Sequence, residues 1–172
     1  MKLLLACISV LCFSLMGQTQ VTVENDPAEQ FKKDLSERVE FRTLNFSIQP
    51  PLHFVQPDSG FSGFMHVGVG ASIAIAPVPY RSYKNVNTEY KAKDFKAAGS
   101  ELVSSTTIEL DNGKEAFIHT VRFKIQDKIV ERLVLITGSE EKTFMVYANY
   151  PAIVGPLLLN VLDASFKTIE FE

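Results

Sequence analysis

Three histidines, two cysteines and a few glycine-flanked serines are the residues of this 172-residue chain whose types could do chemistry. His53, His66 and His119 stand far apart, with no second His or Cys at ligand spacing and no His-Glu-x-x-His run. A local zinc motif is therefore absent, and no metal is expected. His119 lies between Phe117 and Val121 on the apolar face of a strand-like run. Such a histidine reads first as a neutral, hydrogen-bonded core residue. The competing reading makes it a proton-transfer group served by distant carboxylates such as Asp94 or Glu131.

A serine nucleophile needs a sharp turn with backbone donors beside it, usually as Gly-x-Ser-x-Gly, and no such run occurs. Ser59 and Ser62 sit among glycines as turn formers. Gly68, Val69 and Gly70 supply half of a dinucleotide fingerprint, but Ile73 stands where the third glycine belongs. Gly113 and Lys114 lack the preceding glycine of a phosphate loop. No cofactor is expected, and the chain does not read as an enzyme.

Both cysteines, Cys7 and Cys12, fall in an N-terminal segment with its own logic. Lys2, an apolar run over residues 3–16, and then Gly17, Gln18, Thr19 and Gln20 follow the order of a removable secretory signal. The run is shorter than the roughly 20 residues of a spanning helix, so no stable membrane span is expected after cleavage. Cleavage is expected between Gly17 and Val21. The lipidation alternative needs a lipobox; Leu4-Leu5-Ala6-Cys7 leaves too short an apolar core, and Ser9-Val10-Leu11-Cys12 puts Leu where a small residue belongs. The expected product is exported, periplasmic or extracellular, and free of cysteine.

The net charge of −3, without clusters of either sign, argues against a nucleic-acid partner. About 150 residues would remain, the size of one domain. The expected division is residues 1–20 as signal, 21–43 as leader and surface helix, and 44–172 as an α+β domain. For the helix, Asn25 or Asp26 would cap, Pro27 would take the first position, and Phe31, Leu35 and Val39 would form one stripe.

From Leu44 the apolar period changes to two. Leu44, Phe46 and Ile48 alternate until Pro50 and Pro51, and residues 63–69 and 71–78 read as a hairpin stopped by Pro77 and Pro79. Residues 86–98 read as a helix closed by Gly99. Then come four β-rich runs, 101–110, 115–125, 128–137 and 142–149, with Asn112-Gly113 turning the first pair. Both faces of the central runs are apolar: Phe117, Val121, Phe123 and Ile125 oppose Ala116 and Ile118, and Leu133 and Leu135 oppose Val130, Val134 and Ile136. Helices should cover both sides. One cover is a closing helix begun by Pro156, with Leu158, Val161, Leu162 and Ser165 on one stripe, followed by a short strand over 166–171.

This order resembles the PsbP and Mog1-like superfamily, including bacterial envelope proteins of the DcrB type. The resemblance rests on the Pro-ended strand 46–54, the glycine-punctuated hairpin, the helix ending at Gly99, and the Asn112-Gly113 hairpin. It continues through Val134-Leu135-Ile136, Tyr150 with Pro151, and the helix running into Ala164-Ser165-Phe166. It implies an antiparallel sheet of about six strands with helices on both faces. It also implies a non-enzymatic binding or assembly module of the envelope, with another envelope protein as partner; a carrier of a small apolar ligand is the alternative, and an uncharacterised enzyme the third.

Contact residues have weaker signals. Phe61, Phe64 and Met65 lie in the loop over 59–69, and Tyr80 and Tyr83 flank Arg81. Exposed aromatics at these places would mark a contact surface. The competing reading has them filling the sheet's edge, and it is preferred for the loop residues.

Overall fold

The computed structural model describes residues 32–58 and 60–172. The expected secretory signal, both cysteines, the expected helix start at Asn25 to Phe31 and Ser59 lie outside these residues.

Six strands form the main sheet: β3 (Gly63–His66), β4 (Ala71–Pro79), β5 (Ser100–Glu109), β6 (Glu115–Ile125), β7 (Lys128–Gly138) and β8 (Lys142–Pro151). Their order is β3-β4-β8-β7-β6-β5, every pair antiparallel. The two-residue alternation of β6 and β7 sends side chains to opposite faces, and each face is covered. Ala116, Ile118, Leu133 and Leu135 pack with Leu158, Leu162 and Phe166 of helix α3 (Gly155–Lys167). Val121, Val134 and Ile136 pack instead with Val86 of helix α1 (Tyr83–Asn87), with Tyr90, and with Phe95 of helix α2 (Ala92–Ala97).

A second sheet shares the α3 side: β1 (Val39–Phe41), β2 (Phe46–Ile48) and β9 (Glu170–Phe171), in the order β1-β2-β9. Aromatic rings join it to the main sheet. Phe144, fully buried, lies 5.1 Å from Phe46 and 5.3 Å from Phe171, and Phe41 meets Phe64 edge-on at 5.6 Å. Polar ties fix the small sheet to the end of α3. Ser165 donates to the Gln49 carbonyl at 2.6 Å, the Gln49 N–H donates to Thr168 Oγ1 at 2.9 Å, and Arg38 donates to the Thr168 carbonyl at 2.8 Å. Buried hydroxyls on the helix thus cost little, because each has a partner.

Four expectations are corrected. Val39 begins a strand, and Leu35 bridges Pro51, so the helical stripe does not extend this far. Pro77 and Pro79 do not stop the pairing: they lie opposite Phe144 and Lys142 in the ladder with β8. The Ile75 N–H points away from β8, to the Ser62 carbonyl, and alternate residues share that direction. The missing N–H groups of Pro77 and Pro79 therefore fall on the side of β4 that β3 no longer covers, where no ladder bond is lost. The helix over 86–98 is two short helices; Thr88 Oγ1 donates to the Asn85 carbonyl and Lys91 is extended, which breaks the first and restarts the second. Gly99 does end the second, with φ +73°. Finally, the last strand occupies only Glu170–Phe171, because α3 runs on to Lys167.

Candidate functional site

Helices α1 and α2 pack on this sheet face and leave a cleft of about 360 Å³ beside them. Tyr90 and Phe95 line it from the helix side, Val121 and Val134 from the sheet, and Phe123 of β6 and Tyr147 of β8 from either side of β7. Arg132 also lines it from the sheet. Its parity on β7 puts it on the face of Val134 and Ile136, between Val121 of β6 and Asn149 of β8. The guanidinium carbon stands 5.1 Å from the Phe123 ring and 5.5 Å from the Tyr147 ring, and Nε donates to Asn149 Oδ1 at 2.6 Å.

The wall made by Tyr90 is braced from below. A bulge in β5 between Leu102 and Ser104 shifts the register so that Ser105 lies opposite His119. Ser105 Oγ is 2.8 Å from His119 Nδ1, and Asn87 Oδ1 is 2.7 Å from Nε2. The Tyr90 ring stacks on the imidazole at 4.9 Å and 14°. His119 is thus sealed, only 4% exposed, with both ring nitrogens engaged. Burial lowers its pKa and keeps it neutral. Burial, followed by the facing Tyr147 hydroxyl, raises the pKa of Tyr90.

This geometry overturns the proton-transfer reading of His119 with Glu131. Glu131 lies on the opposite face, where Arg122 donates to its Oε1 from Nε at 3.1 Å and from Nη2 at 2.7 Å. There the carboxylate stands close to the start of α3 and, after burial itself, raises the pKa of the buried Tyr150 hydroxyl.

The neutral histidine has a pH signature. Unfolded histidine titrates near 6.5, and native His119 below that, so the unfolded chain binds the extra proton between the two values. Stability contributed by neutral His119 is complete above about pH 6.5, falls as the pH drops through that window, and levels off below the native pKa. Urea melts at pH 7.5 and 5.0 should therefore show a smaller acid loss for His119→Gln than for the parent. An unchanged difference would contradict the assignment.

The other candidates named from residue type and spacing do not converge. Phe64 is 1% exposed and belongs to the core, so it offers no contact surface. Phe61 is half-buried, and Tyr83 packs on Phe117 at 5.9 Å while donating to Glu115. Met65 and Tyr80 are exposed, but Met65 lies opposite Ser72 and Tyr80 follows Pro79. That separates them by roughly 26 Å along β4 at about 3.3 Å per residue. His53 and His66 stand with ring centroids 6.1 Å apart, and no group of three or more His, Cys, Asp or Glu that could hold a metal occurs among the described residues. Gly68 and Gly70 lie in the turn of an antiparallel hairpin, not at a strand-to-helix phosphate turn.

Tyr80 has one unusual property: 94% exposed, it adopts φ +60°. A left-handed conformation costs a non-glycine residue about 1–2 kcal/mol, and glycine gives back about 0.5–1 in backbone entropy. Tyr80→Gly should therefore raise stability by roughly 0.5–1 kcal/mol, read as a higher urea midpoint. A lower midpoint would mean that the ring holds contacts that offset the strain.

A second hollow, of about 520 Å³, borders the small sheet. Its basic groups are already engaged. Lys114 donates to the Phe171 carbonyl at 2.7 Å and lies 3.9 Å from that ring's centroid, and Arg42 is 3.6 Å from Glu40. Lys114 thereby ties β9 to the chain just after the Asn112-Gly113 turn.

Residue type and spacing do not single out the cleft residues Arg132, Tyr90, Phe95 and Tyr147. The available signal is Arg132, a charged residue on the apolar parity of β7.

No family model and no curated protein matches the sequence. Solved structures do match. Cyanobacterial PsbP (CyanoP) from Synechocystis superposes with a TM-score of 0.54 at 11% identity, covering 79% of this chain and 92% of that one. A Bacteroides thetaiotaomicron protein gives 0.54 at 12% identity over 80% of this chain, which spans only 48% of that structure. The Saccharomyces cerevisiae Ran-binding protein Mog1p gives 0.52 at 12% identity, covering 78% of this chain and 94% of that one. The chain has the PsbP/Mog1-like fold, an α+β arrangement of a six-stranded antiparallel sheet with helices on both faces.

Proposed function

We propose that the protein is an exported, non-enzymatic binding module of the bacterial cell envelope, and that the cleft beside α1 and α2 is where it binds. The observation that carries this reading is the cleft's lining. Tyrosine, phenylalanine, valine and one guanidinium supply area, shape and a fixed charge, the composition of a recognition site. The histidine nearest to it is neutral and committed under Tyr90. The export signal supports the envelope location. No helix among the described residues is long and apolar enough to cross a membrane.

Two occupants suit such a module: another envelope protein, or a small apolar molecule. The cleft volume favours the second, since about 300–1,000 Å³ is the usual range for small-molecule sites. Native mass spectrometry of protein released gently from the exported fraction tests both claims together. The expected spectrum shows a chain shortened at or near residues 17–21 carrying an added small-molecule mass. Bare protein in repeated preparations would remove the carrier reading, and a chain retaining its first twenty residues would remove export.

A further inference from the structure

The geometry points to a ligand that carries a carboxylate on an apolar body, with Arg132 reading the carboxylate and the cleft walls holding the body. This rests on the reading of the cleft as the binding site and adds the chemistry of what enters it. The chain is net negative, yet two cations, Arg132 and Lys124, and no Asp or Glu line the cleft. Lys124 is exposed and pairs with Asp127 at 3.6 Å. Arg132 is half-buried, and no carboxylate among the described residues pairs with it. Among those residues its guanidinium makes one hydrogen bond, from Nε to Asn149.

That bond, and the aromatic rings of Phe123 and Tyr147, orient the guanidinium. The terminal nitrogens are left with donors unspent. A planar fork with unspent donors matches a carboxylate in two parallel hydrogen bonds. Its low-dielectric aromatic surroundings strengthen the attraction and reward an apolar group attached to the acid. A cationic ligand would meet Arg132 with repulsion, and a neutral one would leave its donors unmatched.

Three ten-carbon probes separate these cases: decanoate, decan-1-ol and decyltrimethylammonium, each kept below its micelle threshold. They are titrated into the purified protein and followed by amide shifts of Tyr90, Val134 and Tyr147. Decanoate is expected to shift these amides to saturation and decyltrimethylammonium to leave them in place. Arg132→Met keeps the stem between the rings and should weaken decanoate at least about tenfold while leaving decanol unchanged. Arg132→Lys keeps the charge without the fork and should lose less; a dispersed amide spectrum shows that each variant is folded. Equal binding of decanoate and decanol, insensitive to Arg132→Met, would overturn the carboxylate assignment and leave an apolar binding cleft. No shift at these amides with any probe, in protein otherwise folded, would overturn the cleft as a small-ligand site as well.

Discussion

Phe144→Ala is expected to destabilise the protein by about 3–5 kcal/mol, the range for deleting a fully buried phenylalanine. The side chain has no exposed surface and touches the rings of Phe46 and Phe171, one on each of two strands of the small sheet. Truncation removes the area buried and opens a cavity at the aromatic joint between those two rings and β8. The strands concerned have three and two residues, too few to stand alone. The amides of β2 and β9 should therefore lose hydrogen-exchange protection before those of β7 and β8. Denaturant melts measure the first effect and exchange the second. A cost below about 1 kcal/mol would show that the small sheet is held chiefly by Arg38, Gln49, Ser165 and Thr168.

Gly138→Ala should cost at least about 3 kcal/mol, at the upper end of what backbone strain alone costs. Gly138 ends β7 at φ +148°, and a Cβ there would overlap the Lys142 carbonyl oxygen and lie 2.9 Å from Thr143 Cα. Both are backbone atoms of the adjoining strand, so no side chain can swing aside. The turn between β7 and β8 would have to open, in the middle of the sheet. A variant that melts within about 1 kcal/mol of the parent would mean that this turn has a second accessible geometry.

The meander was legible in the sequence because its signals are local. Asn112 and Gly113 specify a turn, and period-two alternation assigns Ala116 and Ile118 to one face and Val121 to the other, as packing bears out. The small sheet was not legible. Phe46 pairs with Phe171 near the other end of the domain, and nothing local in a three-residue strand names a distant partner. Prolines misled for a related reason: the cost of Pro77 and Pro79 depends on which edge of β4 is open, which only tertiary structure decides. The same holds for the site. His119 drew notice because histidine is conspicuous, yet the residues that enclose it come from two other parts of the chain, Ser105 from β5 and Asn87 and Tyr90 from the end of α1 and the turn after it. Arg132 was missed because an arginine in a strand usually faces water, and here its face carries the cleft.

The central claim, that binding occurs in the cleft and not at the small-sheet hollow, is tested most directly by site-specific photo-crosslinking in living cells. A photoreactive residue replaces Phe123 in the cleft or, in a parallel strain, Arg42 beside the hollow, which is 91% exposed in its side chain. The expected result is a reproducible adduct from position 123, of protein or small-molecule mass, and none from position 42. An adduct from position 42 with none from position 123 would contradict the assignment of the binding site.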